Sequence, residues 1–406
     1  MGIVARRLVF HLSGYEPLTP EVAHQRFARE LRRFERTWSA TASISGAEIE
    51  ADQARWRVAT RGPNWHVDTE YRLVRWDDVI AAARRRSTWR RIWFGFAALC
   101  DFIASGAFWK YCRTNWRYAG FFLYPFLLLT VFAALVIVAG AIVADLLDSK
   151  LAGALVSVLG LIVLVQWPGQ RLYLPLLLDD WIFSREFIRR GEPVLESRLG
   201  RIAHEIVRAV RDGNADEIAV IGHSLGAVLA IDVVHRALGL EPLVVQNGPG
   251  LVLLTIGSSI PKVGLHPGAH RFRAALAHVA ATAGVFWAEY QALNDVMNFY
   301  KTDPVAALGL PETGRPVVRI VRFREMLDPA RYRRIQRSFF RLHRQFVSAN
   351  DRRTPYDYFM LICGPLSIES QVRWPYGAAG AIGPDGALLE NPQDAAREGP
   401  PRAAAP

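Results

Sequence analysis

Two long uncharged runs constrain the fold of this chain more than any other feature. Residues 118–144 are 27 positions without a charged side chain, and residues 151–170 are again uncharged after a short charged stretch. Helices of these lengths would span about 40 and 30 Å, against a hydrocarbon core of about 30 Å. Buried helices of soluble proteins seldom run so long without polar residues, so we predict two transmembrane helices. A re-entrant hairpin stays an alternative, because the second run contains glycine and proline.

Basic residues flank this predicted hairpin and account for much of the net charge of +11. They are Arg84, Arg85, Arg86, Arg90, Arg91, Lys110, Arg113 and Arg117 before it, and Arg171, Arg185, Arg189 and Arg190 after it. By the positive-inside rule, both flanks and both termini should lie on the cytoplasmic side of a cell (inner) membrane. These arginines suit anionic lipid headgroups, and residues 89–111 should lie along the membrane surface. No nucleic-acid-binding motif accompanies the charge, so we expect membrane lipids and no nucleic acid as partners.

A second feature is the sequence Gly222-His223-Ser224-Leu225-Gly226. Residues 217–221 before it, which are apolar after Glu217, are too short for a helix, whereas residues 227–238 are apolar at helical spacing. The pattern therefore predicts a sharp strand-to-helix turn with Ser224 at its tip. Glycines on both sides let neighbouring backbone pass close to the serine. An ordinary glycine-rich turn is the alternative interpretation.

This pentapeptide resembles the nucleophile elbow of lipase-like members of the α/β-hydrolase superfamily. The resemblance implies an α/β fold, a mostly parallel sheet flanked by helices, here with an inserted two-helix transmembrane hairpin. It also implies a serine nucleophile at Ser224, an acid and a histidine following in that chain order, and an oxyanion-hole N–H from Leu225. Such enzymes need neither a cofactor nor a metal, and we expect none.

Chain order restricts the other members of the implied triad. His343 is the only histidine after His278, and it follows the strand-like residues 317–323. Asp295 lies in a polar loop after an aromatic-rich, strand-like segment, as the triad acid of lipase-like enzymes does. Asp303 is the alternative acid and Glu289 a weaker one, and any of them could instead cap a helix or turn. A helical pattern over residues 338–347 departs from the loop that usually carries this histidine.

The resemblance also implies a second backbone N–H in the oxyanion hole, which should come from the loop after an early strand. Residues 7–12 alternate as a strand and break at Ser13, Gly14 and Tyr15, ahead of a helix predicted over residues 20–37. A glycine there allows backbone to approach a developing oxyanion. These three residues are the candidate donors, and a plain strand-to-helix turn is the alternative.

The domain organisation follows from these segments. We predict a first part of the hydrolase domain over residues 1–76, a membrane-associated insertion over 77–178 with spans at 118–144 and 151–170, a second hydrolase part over 179–375, and a disordered tail over 376–406. Three cysteines form neither a disulfide framework nor a metal-binding spacing.

The expected activity is that of a membrane-anchored serine hydrolase acting on an acyl ester, with lipids favoured because of the anchor. The alternatives are a thioesterase, an acyltransferase, a peptidase or a non-catalytic membrane scaffold, since a fold does not determine a reaction.

Only four of the 49 basic residues are lysine. That bias is typical of a GC-rich bacterial genome.

Overall fold

The computed structural model describes residues 2–242 and 250–390. The chain forms two compact units. The first comprises the described residues of 1–77, 194–264 and 270–406, and the second comprises residues 78–193 and 265–269. The first unit is an α/β fold around one mixed sheet, and the second is helical.

Nine strands within the described residues form the sheet of the first unit. They are β1 (Arg6–Leu12), β2 (Thr41–Ile44), β3 (Glu48–Ile49), β4 (Gln53–Arg61), β5 (His66–Val74), β6 (Glu217–His223), β7 (Gly250–Ile256), β8 (Val285–Ala292) and β9 (Val317–Val321). The order is β2-β4-β5-β1-β6-β7-β8-β9, with β3 also paired to β4. Strands β5, β1, β6, β7, β8 and β9 run parallel, whereas β2, β3 and β4 pair antiparallel.

The helices divide between the two units. In the described residues they are α1 (Pro20–Trp38), α2 (Asp77–Arg84), α3 (Thr88–Ala104), α4 (Ala107–Thr114), α5 (Trp116–Leu146), α6 (Lys150–Gln166), α7 (Pro168–Arg171), α8 (Leu174–Arg190), α9 (Pro193–Asp212), α10 (Gly226–Leu240), α11 (Ile260–Gly264), α12 (His270–Ala281), α13 (Pro304–Ala307), α14 (Phe323–Met326), α15 (Pro329–Ile335), α16 (Phe339–His343), α17 (Tyr358–Cys363) and α18 (Ile368–Arg373). Short 3₁₀ helices occupy Arg344–Val347 and Gly377–Gly380.

The central strands are mostly apolar, as expected for a sheet with both faces covered. Every residue of β6 is buried, and β7 is buried from Leu251 onward. Parallel strands buried on two faces have continuous apolar sequences. The register pairs Leu12 with Gly222 and His223 with Ile256, so the carboxyl ends of β1, β6 and β7 meet at one edge.

An aromatic cluster packs one face of the sheet. The Phe27 ring lies 4.9 Å from Phe359 and 5.4 Å from Trp56, centroid to centroid, which ties α1 and α17 to the strands. Ala381 and Ile382 belong to the same buried core. The tail predicted to be disordered from residue 376 is therefore folded as far as residue 390, because apolar residues within its alanine-rich sequence find a core to bury against. Residues 391–406 lie outside the described residues.

The second unit contains two helices long and apolar enough to cross a membrane, α5 and the continuous α6–α7 segment Lys150–Arg171. They contain the predicted spans, and much of their apolar surface faces outward: Leu151 is 81% exposed and Ile137 is 63% exposed. Exposed apolar surface of this extent is compatible with membrane association. Helices α3 and α4 cover the stretch predicted to lie on the membrane surface. They are bent by 70° relative to each other, and taken together they are also long and apolar enough to cross a membrane.

Ion pairs explain why the second unit extends beyond the predicted end at residue 178. Helix α8 continues to Arg190, and Asp179 on it accepts a hydrogen bond from Arg91 on α3, with Nε and Oδ1 2.9 Å apart. Arg185 and Arg189 of the same helix bind Asp101 of α3. A boundary placed by apolarity alone could not detect these pairings, which hold all of α8 within the second unit.

Candidate active site

Ser224 occupies a strained turn between β6 and α10. Its φ is 57°, in the left-handed region that non-glycine residues seldom adopt. The Ser224 N–H donates to the Ile256 carbonyl at 3.0 Å, and the Ser224 carbonyl accepts from the Ser259 N–H at 3.1 Å. These two bonds to the end of β7 stabilise a conformation that the residue alone would disfavour.

The glycines of the turn are required by space. A Cβ on Gly226 would lie 2.0 Å from the Leu12 carbonyl oxygen, and one on Gly222 would lie 2.4 Å from the Ala227 Cα. Both are backbone atoms that cannot move aside. The tight passage of β1 and α10 beside the serine therefore depends on glycine at both positions.

Asp295 and His343 form a buried pair. The His343 Nδ1 lies 2.6 Å from the Asp295 Oδ2, and the two side chains are 5% and 0% exposed. Asp295 is held by the loop after β8, since its Oδ1 accepts from the Met297 N–H at 2.9 Å and its carbonyl accepts from the Asn298 amide at 2.6 Å. His343 is the last residue of α16, in agreement with the helical pattern of its sequence. A carboxylate on Nδ1 leaves Nε2 as the nitrogen available to accept a proton.

The His343 ring lies close to the turn that holds Ser224. His343 Nε2 is buried and has no hydrogen-bond partner within the described residues. A Cβ on Gly257 would lie 3.1 Å from the His343 Cε1, and Gly257 directly follows the Ile256 that binds Ser224. The His223 ring packs against the His343 ring in a tilted arrangement, with centroids 4.5 Å apart. The structure thus brings Ser224, His343 and Asp295 into one neighbourhood, with the serine–histidine hydrogen bond itself unformed.

The two alternative acids have other contacts. Asp303 caps α13, its Oδ1 accepting from the N–H groups of Val305 and Ala306. Glu289 lies inside the sheet, where it accepts from the Ser258 hydroxyl at 2.6 Å and from the Thr255 hydroxyl. Burial raises the pKa of Glu289 to about 7, against the opposing effect of the Ser258 hydrogen bond. Asp303 is therefore a helix-capping carboxylate, which was the alternative interpretation of the candidate acids.

Gly14, one of the candidate oxyanion residues, lies against the serine. A Cβ on Gly14 would lie 2.8 Å from the Ser224 Cβ and 3.3 Å from its hydroxyl oxygen. The N–H groups of Gly14 and Leu225 donate to no other residue in the described ranges. Leu225 stands directly before the first turn of α10, where helix N–H groups and the dipole favour negative charge.

Ser13 and Tyr15, on either side of Gly14, have structural contacts. The Ser13 hydroxyl and carbonyl both accept from the Trp76 indole N–H at 3.2 Å. The Tyr15 ring packs edge-on against Trp76 with centroids 5.7 Å apart. Both side chains are therefore in contact with Trp76.

A charged cluster that sequence reasoning missed joins this loop to the histidine segment. Glu16 accepts two hydrogen bonds from Arg26 of α1, both at 3.0 Å, and pairs with Arg344 at 3.0 Å. Burial would raise the pKa of Glu16, but the hydrogen bond and charge of Arg26, together with Arg344, hold it below its usual value. Arg344 follows His343 directly, so this cluster connects the Gly14 loop to the histidine. The partners lie far apart in sequence, and no local motif could have revealed them.

His223 was predicted only as an elbow residue, yet it also supports His343. Its Nε2 lies 3.3 Å from the His343 carbonyl oxygen, and it is buried. Burial and the neighbouring charge of His343 lower the pKa of His223 well below its usual value. A neutral ring is therefore maintained against the His343 imidazole.

Comparisons with known proteins add no relative: no family model matches the chain, and no curated protein or solved structure matches it significantly. Within residues 2–242 and 250–390 no group of three or more His, Cys, Asp or Glu side chains could hold a metal ion. The geometry of the described residues is therefore the basis for a functional proposal.

Proposed function

We propose that this protein is a membrane-anchored serine hydrolase of the α/β-hydrolase fold that cleaves an acyl ester. The observation that carries the proposal is the buried Asp295–His343 pair beside Ser224, with His343 Nε2 unpartnered within the described residues. A serine hydroxyl is a weak nucleophile at neutral pH and needs a base to take its proton. A buried imidazole oriented by a carboxylate is the arrangement that supplies one.

The reaction would proceed through an acyl-enzyme. The Ser224 Oγ attacks the ester carbonyl while His343 Nε2 accepts its proton, and the resulting imidazolium then protonates the departing alcohol oxygen. In the second half a water molecule gives a proton to His343 Nε2 and attacks the acyl carbon, and the imidazolium then returns a proton to the Ser224 Oγ as the bond between Oγ and the acyl carbon breaks. Asp295 keeps its charge throughout, holding the Nδ1–H tautomer and stabilising the imidazolium. The unformed Ser224–His343 bond is compatible with this role, since such bonds often tighten only with substrate bound.

The N–H groups of Gly14 and Leu225, unpaired within the described residues, supply the electrostatic part of the proposal. Negative charge develops on the carbonyl oxygen during attack, and preorganised backbone donors stabilise it. Loss of one such donor in comparable sites costs on the order of 10²–10³ in kcat. Two observations support these donors: Gly14 approaches Ser224 closely, and Leu225 follows the nucleophile directly.

The two membrane-length helices support a lipid ester as the substrate class. An anchor would hold the enzyme at the bilayer and raise the local concentration of an insoluble substrate. The arginine-rich flanks favour a cytoplasmic location for the hydrolase unit by the positive-inside rule.

Labelling with a fluorophosphonate probe tests the proposal directly. We expect the full-length protein in detergent to label, and Ser224→Ala to remain unlabelled. Ser258→Ala is the matched control, because Ser258 is buried two residues after Ile256, with its hydroxyl on Glu289. Labelling that survives in Ser224→Ala and disappears in Ser258→Ala would contradict the assignment, and a wild type that never labels would leave a non-catalytic scaffold.

A further inference from the structure

An arginine-lined cleft opens where β8 and β9 end. It has a volume of about 810 Å³ and lies between the loops after these strands and helices α14 and α15. The polar side chains that line it are mainly guanidinium and phenol groups: Arg322, Arg324, Arg333, Arg352, Tyr300 and Tyr332. We refer to it as the arginine cleft.

Two of the four arginines of the arginine cleft have a carboxylate partner, and Arg352 pairs with Asp328, with Nε and Oδ1 3.6 Å apart. The one acidic lining residue of the cleft, Glu325, pairs with Arg322, with Nη1 and Oε1 3.0 Å apart. Arg324 and Arg333 are exposed and make no hydrogen bond or ion pair with another residue of the described ranges. Two guanidinium groups at the cleft therefore retain their full donor capacity toward a ligand.

The cleft shares a loop with the proposed triad. Asn294 lines the cleft, and its side-chain amide donates to the Tyr332 hydroxyl at 3.1 Å. The next residue, Asp295, binds His343. Ser224 follows β6 at the same edge of the sheet, since β6, β7, β8 and β9 are all parallel. Ligands of open α/β sheets bind outside the carboxyl ends of their strands, which is where both features lie.

We propose that the arginine cleft binds a phosphate ester group on the alcohol part of the substrate. This inference rests on the proposed function, which it narrows from an acyl ester to an acyl ester that carries phosphate. Guanidinium groups bind phosphate through paired, charge-assisted hydrogen bonds, and phenol hydroxyls add neutral donors. A phosphate monoester carries up to two negative charges at neutral pH, which matches the two unpaired arginines of the cleft better than a single carboxylate does.

The kinetic test compares two short esters that differ only in a phosphate: glycerol monobutyrate and butyryl glycerol 3-phosphate. Full-length wild type in detergent is compared with Arg324→Ala/Arg333→Ala. We expect KM for the phosphorylated ester to rise at least tenfold in this variant, with kcat and the kinetics of the neutral ester unchanged. Arg32→Ala/Arg36→Ala is the matched control, because both arginines are exposed on α1 and without a partner in the described residues.

The source of the phosphate is resolved by a second pair of substrates. Soluble butyryl glycerol 3-phosphate is compared with dioleoyl phosphatidic acid in phosphatidylcholine vesicles, using protein reconstituted into the same vesicles. Arginine-dependent turnover of phosphatidic acid alone assigns a lipid headgroup, and arginine-dependent turnover of the soluble ester alone assigns a free phosphoester. Either result supports a phosphate site.

A binding measurement separates failure of this inference from failure of the proposed function. Inorganic phosphate is titrated against Ser224→Ala, which binds without turnover, with and without the two arginine substitutions. If phosphate binding depends on the two arginines but wild type hydrolyses neither ester, the proposed hydrolase is rejected and the cleft assignment is kept. Hydrolysis of both esters with KM and phosphate binding unaffected by the double substitution would overturn the cleft assignment and keep the hydrolase.

Discussion

At the scale of single residues, the candidate site depends on which carboxylate holds the histidine. Asp295 contacts His343 Nδ1 directly, whereas both hydrogen bonds accepted by Asp303 come from the first turn of α13. The chemical environment therefore separates two aspartates that sequence order alone could not.

We expect Asp295→Asn to lower kcat for a soluble ester by on the order of 10⁴, because an amide cannot stabilise the imidazolium and favours the wrong tautomer. Asp303→Asn is the matched control and should leave kcat within a few-fold of wild type. Asn also caps helices well, so its effect on stability should be small. Steady-state kinetics of both variants test this assignment, and the opposite ranking would transfer the role to Asp303.

Glu289 gives a second prediction, concerning pH. Because burial raises its pKa to about 7 in the folded protein, the folded state binds a proton more tightly than the unfolded state does. The resulting stabilisation is complete below about pH 4.5 and is lost as the pH rises through 7. A shift of this size corresponds to on the order of 3 kcal/mol.

Glu289→Gln should remove this contribution, since its amide does not titrate. Denaturant unfolding in detergent between pH 4.5 and 8 should show a stability that falls with pH more steeply in wild type than in the variant. If the free energy of unfolding changes equally with pH in wild type and in Glu289→Gln, then Glu289 titrates alike in the folded and unfolded states.

At the scale of elements, α5 and α6 pack through small residues. A Cβ on Gly140 would lie 2.0 Å from the Ser157 Oγ and 2.5 Å from the Gly153 carbonyl oxygen. The Ser157 hydroxyl donates to the Val136 carbonyl at 3.0 Å, which links the two helices. Close helix approach through glycine and serine is typical of helices that associate in lipid.

Gly140→Ala should therefore destabilise the helix pair by about 1–3 kcal/mol, as overpacking of a tight contact does. Gly120→Ala on the same helix is the matched control, because a methyl group there would enter open space, and alanine favours a helix over glycine. Unfolding of the reconstituted protein by increasing SDS measures the stability change caused by each substitution. A Gly140→Ala protein as stable as Gly120→Ala would show that the contact tolerates a methyl group.

The elements themselves were largely predictable, whereas their contacts were not. The apolar run before Ser224 and the helical pattern after it correspond to β6 and α10, since each pattern reflects local burial. The pairing of Asp295 with His343 joins residues 48 positions apart, and chain order could only restrict the candidates. Residues 41–49 contain two short strands, β2 and β3, and their separate pairing with β4 likewise depends on contacts between distant parts of the chain.

At the scale of the whole molecule, orientation depends on basic residues rather than on net charge. Several flanking arginines are engaged within the second unit, such as Arg91 with Asp179 and Arg86 with Glu186. The positive-inside rule counts Lys and Arg near the spans and gives little weight to acidic residues, so these pairs do not change the expected topology. Both flanks should remain cytoplasmic.

Cysteine accessibility in intact cells tests that topology. Lys150→Cys introduces an exposed thiol at the start of α6, in the turn that should face outward, whereas the native Cys100 is exposed in the flank that should face the cytoplasm. We expect a membrane-impermeant maleimide to label Lys150→Cys in intact cells and wild type only after permeabilisation. Removing Lys150 also removes a basic residue from the turn, so the substitution does not oppose the predicted orientation. Labelling of wild type in intact cells would place the flanks outside and reverse the topology. Labelling of neither protein until permeabilisation would instead favour a re-entrant hairpin, whose turn does not reach the far side of the membrane.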